Sequence, residues 1–254
     1  MDDTTARAYL ARIGAPAPTA PTLAVLTDLM ARHLLSVPFE NLSIHLDEPV
    51  SLDEPAMLDK IVGRGRGGFC YELNGAFAAL LAHLGYDVTL LAARVYDDHG
   101  AGPLFDHLIL RADLEEPWLV DVGFGRFIAA PVRLDVGTEQ RDPAGTVRIV
   151  TTADGDLVVE FEGRAQLKVE QRPRALADFG PTCWYQQTSP SSHFTQSLIC
   201  SLPTADGRVT LSDRLLISTV DGRRTERELG SDDDVRAVYR ELFGIHLDRL
   251  PTSP

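Results

Sequence analysis

Along the first 85 residues, apolar positions recur at helical spacing. Tyr9, Leu10 and Ile13 form a short stripe ending at Gly14, and Leu23, Leu26 and Met30 form a second that stops at Pro38. The third stripe is the longest: Leu73, Phe77, Leu80 and Leu84 share one face, with Ala76 and Leu81 beside it, and Gly85 closes it. Cys70 stands one turn before Leu73 on that face, which predicts an inward-pointing thiol at a helix N-terminus. After Gly85 the pattern changes to short, turn-punctuated runs. These predict strands over 87–96, 106–112, 118–123, 146–151, 156–162, 165–171, 197–201 and 208–218. The stretch 173–195, rich in Pro, Ser and Thr, is expected to be irregular. A last helix is predicted from Ser231, with Asp234 as its cap partner, through Val235, Val238, Tyr239, Leu242 and Phe243 to Gly244. The order is a helical segment, a mostly antiparallel β unit and a mixed C-terminal piece.

Composition narrows the function classes. With 254 residues, 44% hydrophobic and 24% charged, the chain can bury a substantial core. A net charge of −13 argues against general nucleic-acid binding, which needs a basic face. No apolar run is long enough for a membrane span, and the opening MDDTTARAYL does not read as a secretory signal. Three widely spaced cysteines, Cys70, Cys183 and Cys200, suit free thiols in a reducing cytosol better than a disulfide framework. The expectation is a cytoplasmic protein.

The chemistry centres on Gly65-Arg66-Gly67-Gly68-Phe69-Cys70-Tyr71-Glu72. Glycines before a helix expose its first amides, and the positive helix end favours an anion, so a cysteine there is biased towards thiolate. The same amides suit an oxyanion formed when that thiolate attacks a carbonyl. Gly63, Gly65 and Gly68 also fit a dinucleotide-type glycine pattern, but no strand precedes them and no βαβ unit surrounds them. His107 and Asp121 lie on two runs joined by a short turn around Asp113 to Pro117. They share parity, so an even pairing register puts both on one sheet face within hydrogen-bond reach, and an odd one separates them. Cysteine, histidine and carboxylate are the set a thiol nucleophile needs: a proton acceptor, and a group to orient it. The seven histidines and three cysteines show no metal-ligand spacing.

These residues resemble the arylamine N-acetyltransferase family. The resemblance rests on AYLARIG at 8–14, VPFENL at 37–42, RGGFCYELN at 66–74, DHLIL at 106–110, LVDVGFGR at 119–126 and SPSSHF at 189–194. It implies an α+β fold with a cysteine-protease-like catalytic core, divided into a helical bundle over 1–86, an antiparallel β-barrel-like domain over 87–195, and an α/β lid over 196–254. It implies a ping-pong reaction without a resident cofactor. Acetyl-coenzyme A acetylates Cys70, and an arylamine or arylhydrazine then takes the acetyl group, with His107 as base and Asp121 orienting it. Phe39, Phe69, Phe124 and Phe194 are expected to wall an aromatic pocket, with Arg126 beside it. Glu40 and Arg66 are expected to form a structural ion pair holding the cysteine loop, and the Gly67–Gly68 turn to receive the coenzyme A polyanion.

Two positions depart from the family pattern. Asp106 precedes His107 where a small polar residue is expected, although strand alternation should turn it to the opposite face. Position 128, in the substrate-selecting loop, is Ile. Alternatives on the same triad are an amide synthase acting on an aryl-amine-primed polyketide, a papain- or transglutaminase-like hydrolase, and a catalytically silent binding module. Cys183, Cys200 and the other histidines are expected to be packing or surface residues.

Overall fold

The computed structural model describes residues 1–252. Helix α1 (Asp3–Arg12) begins under Asp2, whose carboxylate accepts from Thr5 N at 2.7 Å. Helix α2 (Leu23–Ser36) is capped by Thr22 and ends before Pro38, as the restricted backbone ahead of a proline requires. A two-residue strand β1 (Phe39–Glu40), one turn α3 (Leu42–His45) and a short α4 (Glu54–Leu58) running into a π turn over Asp59–Gly63 follow. Helix α5 (Cys70–His83) then starts at the cysteine itself.

Nine strands come next: β2 (Asp87–Asp97), β3 (Gly100–Ala101), β4 (His107–Asp113), β5 (Pro117–Val120), β6 (Val132–Arg133), β7 (Glu139–Asp142), β8 (Gly145–Thr151), β9 (Leu157–Phe161) and β10 (Arg164–Arg174). Their main order is β6-β5-β4-β2-β10-β9-β8-β7, and β3 pairs with β2. The two ends of this antiparallel sheet meet. Arg133 N donates to Gln140 Oε1 at 3.0 Å, and Gln140 Nε2 donates to Arg133 O at 2.7 Å, which nearly closes the sheet into a barrel. The stripe on α5 lies against it, with Leu73, Phe77 and Leu80 in one core with Ile109, Leu110 and Val120. Each such side chain removed from water contributes roughly 1.5–3 kcal/mol.

The stretch 173–195 is more regular than expected. It forms a 3₁₀ turn over Leu176–Phe179, helix α6 (Gly180–Thr188) and the turn α7 (His193–Gln196). Pro181 sits at the start of α6, where its missing N–H costs nothing, and buried Phe179 and Cys183 anchor the segment. Two buried apolar residues are too few to show a helical period in the sequence.

Strand β11 (Ile199–Thr204) opens a second antiparallel sheet. The run expected over 208–218 is instead a hairpin, β12 (Gly207–Ser212) and β13 (Leu215–Val220), because Asp213 takes a φ of 51° and turns the chain. Strand β14 (Arg223–Glu228) is exposed throughout, so its sequence carries no inward-outward alternation. The sheet order is β1-β11-β12-β13-β14. Helix α8 (Asp232–Phe243) covers it, capped by Ser231 and ended by Gly244 at φ 68°. Val235, Val238, Tyr239 and Phe243 pack with Cys200 and Leu211, and Leu42 and Leu46 from the N-terminal region join this second core.

Candidate active site

Helix α5 brings Cys70 to the start of β4. The thiol is 4% exposed and faces Asp106 O at 3.9 Å. The two residues before His107 are held from α5, where Tyr71 Oη donates to Phe105 O at 2.8 Å and to Asp106 O at 3.2 Å. Phe105 takes a φ of 60°, a conformation a bulky side chain rarely adopts without such support.

The ladder between β4 and β5 pairs residues of like parity, Leu110 with Val120 and Asp113 with Pro117. His107 and Asp121 therefore lie on one face, and Nε2 of the imidazole stands 2.7 Å from Asp121 Oδ2. That leaves Nδ1 for the sulfur, and Cys70 lies close enough to contribute to the upward shift of the His107 pKa. Both partners are 2% exposed. Burial opposes charge on His107, but attraction and hydrogen bonding from Asp121, joined by Cys70, outweigh it and raise its pKa to about 10. The ring therefore stands beside Cys70 as the proton-holding partner a nucleophile needs.

Asp121 is itself fixed by a residue that sequence reasoning left without a role. Asn74 donates to Asp121 Oδ1 at 2.9 Å and to Leu108 O at 2.6 Å, and accepts from Val122 N at 2.9 Å. Its signal was available: a polar side chain one turn after Cys70 within an apolar stripe. Gly123 N gives Asp121 Oδ1 a further bond at 2.8 Å. A Cβ at Gly123 would sit 2.7 Å from Cys70 Cα, so only glycine lets this loop reach the start of α5.

Below the cysteine loop lies a closed ionic cluster. Arg66 meets Glu40 at 2.9 Å, Lys60 meets Glu72 at 2.7 Å, and Lys60 approaches Glu40 at 3.9 Å, all buried. Burial acts to raise the Glu40 pKa, but Lys60 and Arg66 hold it below the ordinary range. Glu40 also accepts from Leu42 N at 2.6 Å, and Glu72 from Phe69 N at 3.2 Å, so the cluster ties both flanks of the loop.

The expected coenzyme A position at Gly67–Gly68 does not fit the packing. Both glycines are buried; an added Cβ would lie 1.9 Å from Pro38 O at Gly67 and 2.6 Å from Glu72 Oε2 at Gly68. Protein fills the space a phosphate would need.

The four phenylalanines separate into two groups. Phe69 and Phe39 pack on Phe194 at centroid distances of 5.2 and 6.2 Å, beside Cys70. Phe124 instead lines a cavity of about 510 Å³ between α2, the loop 121–129 and the β11–β12 hairpin, and Arg126 and Ile128 share that lining. The cavity reaches Asp121 but not Cys70 or His107. Phe124, with its ring edge-on to His107 at 5.3 Å, stands at the boundary.

Asp106 points away from the imidazole. Its carboxylate accepts from Gln186 Nε2 at 2.8 Å and Val95 N at 3.4 Å, and burial raises its pKa. Gln186 in turn accepts from Ser192 Oγ at 2.6 Å, which links this position to the turn bearing Phe194. Among the described residues, no group of three or more His, Cys, Asp or Glu side chains is arranged to hold a metal ion.

Residues 22–251 match the N-acetyltransferase family model. The chain is 34% identical to the arylamine N-acetyltransferase of Mycolicibacterium smegmatis, over 95% of this chain and 92% of the relative. It is 30% identical to human arylamine N-acetyltransferase 1, over 95% and 94%. The solved Mycobacterium marinum arylamine N-acetyltransferase in complex with CoA superposes with a TM-score of 0.85 at 35% identity, covering 94% of this chain and 92% of that one.

Proposed function

The chain belongs to the arylamine N-acetyltransferase family, and on that footing we propose that it transfers acetyl groups from acetyl-coenzyme A to arylamines and arylhydrazines through Cys70. The observation that carries the mechanism is the His107 ring, bonded to Asp121 at 2.7 Å and close enough to Cys70 for the sulfur to help raise its pKa. The Cys70 thiolate attacks the thioester carbonyl, forming a new carbon–sulfur bond. As the tetrahedral adduct collapses, the bond to coenzyme A sulfur breaks and that thiol leaves with the proton held on His107. The first amides of α5 stabilise the oxyanion. The amine nitrogen then attacks acetyl-Cys70, passes its proton to His107, and releases the amide and the thiolate. Asp121, fixed by Asn74 and Gly123, holds the ring throughout. Phe124 separates the reacting pair from the cavity and presents a flat face to an aromatic acceptor.

Three free thiols and a thioester co-substrate suit the reducing cytosol. Among the described residues, no helix is long and apolar enough to cross a membrane. We retain the division into 1–86, 87–195 and 196–254 as a proposal; the pairing of β1 with β11 ties the first part to the last.

A coenzyme A release assay with acetyl-coenzyme A, with and without an arylamine, tests this in the wild type and Cys70→Ala. Amine-dependent release confined to the wild type is the expected result. A wild type whose Cys70 is rapidly alkylated but which releases no coenzyme A would reject acetyl transfer in favour of another acyl chemistry.

A further inference from the structure

Asp106 adjoins the triad in sequence, yet its carboxylate takes no part in it. Cys70 Sγ and Tyr71 Oη meet this residue at its main-chain oxygen, while the side chain turns to Val95 and Gln186. Gly102 leaves the room for it: an added Cβ there would lie 2.8 Å from Oδ2. Among the described residues, no basic side chain comes within ion-pair distance of this carboxylate, and Arg94 acts on it only from further off. A half-buried charge without a counter-ion is unfavourable unless its hydrogen bonds require it.

They do require it, because both oxygens accept. Val95 N donates to Oδ2 at 3.4 Å, and Gln186 Nε2 donates to Oδ1 at 2.8 Å. Only an ionised carboxylate accepts at both ends; an amide of the same shape would set donor against donor at one of them. With Nε2 committed to Asp106, Gln186 turns its acceptors to Ser192, whose Oγ lies 2.6 Å from Gln186 Oε1 and 3.0 Å from Gln186 O. The Ser192 hydroxyl proton is engaged there, and Oγ accepts from Phe194 N at 3.2 Å. Every donor in this chain points towards Asp106, so one charge fixes the direction of all its hydrogen bonds. Gln186 and Ser192 are buried, where a bond lost from the chain is not replaced by bulk water.

The far end of the chain stands beside the nucleophile. The Phe194 ring lies 5.2 Å from Phe69 and 6.2 Å from Phe39, packed on the apolar cluster that holds Cys70. We propose that Asp106 is a positioning residue for the acyl acceptor: through Gln186 and Ser192 its charge sets the place of Phe194, and Phe194 holds the aromatic ring of the amine at Cys70. The identity of the acceptor rests on the acetyl-transfer reading, while the directed chain of hydrogen bonds stands on the structure alone. An amine without a ring makes no use of it.

The test compares Asp106→Asn, Ser192→Ala and the double variant with wild type. Acetyl-Cys70 is formed with acetyl-coenzyme A, freed of excess donor, and discharged by aniline or by hydrazine, which has no ring. The readout is the ratio of the two second-order rate constants. Each single substitution is expected to cut the aniline-to-hydrazine ratio about 5-fold, the scale of one hydrogen bond. The double variant should fall no further, because both changes break one chain. The pH profile of Cys70 alkylation should stay as in wild type, since the imidazole keeps its partners. Independently of turnover, the fluorine NMR signal of para-fluorophenylalanine placed at position 194 should shift in both single variants.

An unchanged ratio would overturn the proposal, as would an unmoved fluorine signal or losses that multiply in the double variant. Equal slowing with both acceptors and a shifted alkylation profile would mean that Asp106 acts through His107, which also overturns it. A wild type that never forms acetyl-Cys70 would instead sink the acetyl-transfer reading. The fluorine signal would then judge the chain by itself, moving if Asp106 places Phe194 and standing still if it does not.

Discussion

Two imidazoles lie sealed inside this molecule, His33 in the helical layer and His107 where α5 meets β4. Their exposures are 0% and 2%, yet the fold drives them in opposite directions. His33 meets Tyr9 Oη at 3.0 Å and the Phe77 ring at 5.1 Å, and its Nε2 has no partner. Burial, with a smaller push from Arg12, lowers its pKa to about 3. His107 experiences the same loss of solvent, but Asp121 stands at 2.7 Å and the ring rises to about 10. Burial therefore does not make a histidine chemically useful. A carboxylate that the fold itself holds in place does, and here Asn74 and Gly123 hold it.

The sharpest way to break this contrast is Asp121→Asn. Without the negative charge, His107 should move towards the behaviour of His33, and turnover should fall by about 10⁴-fold, the scale seen when a triad loses its orienting carboxylate. Steady-state rates together with the pH profile of Cys70 alkylation check this; a variant within 10-fold of wild type would remove Asp121 from the mechanism. Asn74→Ala tests the support for the carboxylate. It unpairs Leu108 O and Val122 N and loosens Asp121, and should cost about 10- to 100-fold in kcat with little change in KM. On the other side of the comparison, Tyr9→Phe strips His33 of its hydrogen-bonding partner. Urea unfolding should show a loss of about 1–3 kcal/mol, with acetyl transfer unaltered in the folded protein.

The same contrast shows what the chain discloses before it is folded. The inward cysteine at the head of α5 was legible because four apolar residues at helical spacing define a face and Cys70 extends it. The histidine–carboxylate pair was legible as a parity, and only the observed ladder of Leu110 with Val120 resolves even from odd. Other features have no local signature. Arg208 meets Gly125 from 83 residues away on a strand of ordinary alternation, and Lys60 reaches Glu72 from a π turn no periodicity announces. The Gly67–Gly68 turn misled because glycine allows close approach without saying whether a ligand or the protein's own backbone arrives. Here Pro38 and Glu72 occupy the space. The exposed strand β14 lacked any apolar face to betray it.

The last comparison reads both imidazoles in a single experiment, the pH dependence of stability. His33 titrates near 6.5 when unfolded and near 3 when folded, so in that window the unfolded chain binds the extra proton. Its contribution is therefore complete above about pH 6.5 and is lost as the pH falls towards 3. His107 has the opposite sign. Its folded form holds the proton up to about pH 10, so its contribution is complete below 6.5 and is lost as the pH rises through 10. Each group can tilt the stability curve by at most about 1.4 kcal/mol per pH unit. Urea unfolding from pH 4.5 to 9.5 should show that His33→Gln flattens the acid limb and leaves the alkaline limb alone, while His107→Gln does the reverse. Difference curves with the same sign on both limbs would mean that the two buried rings share one charge state, and Asp121 would no longer explain why only one of them faces a nucleophile.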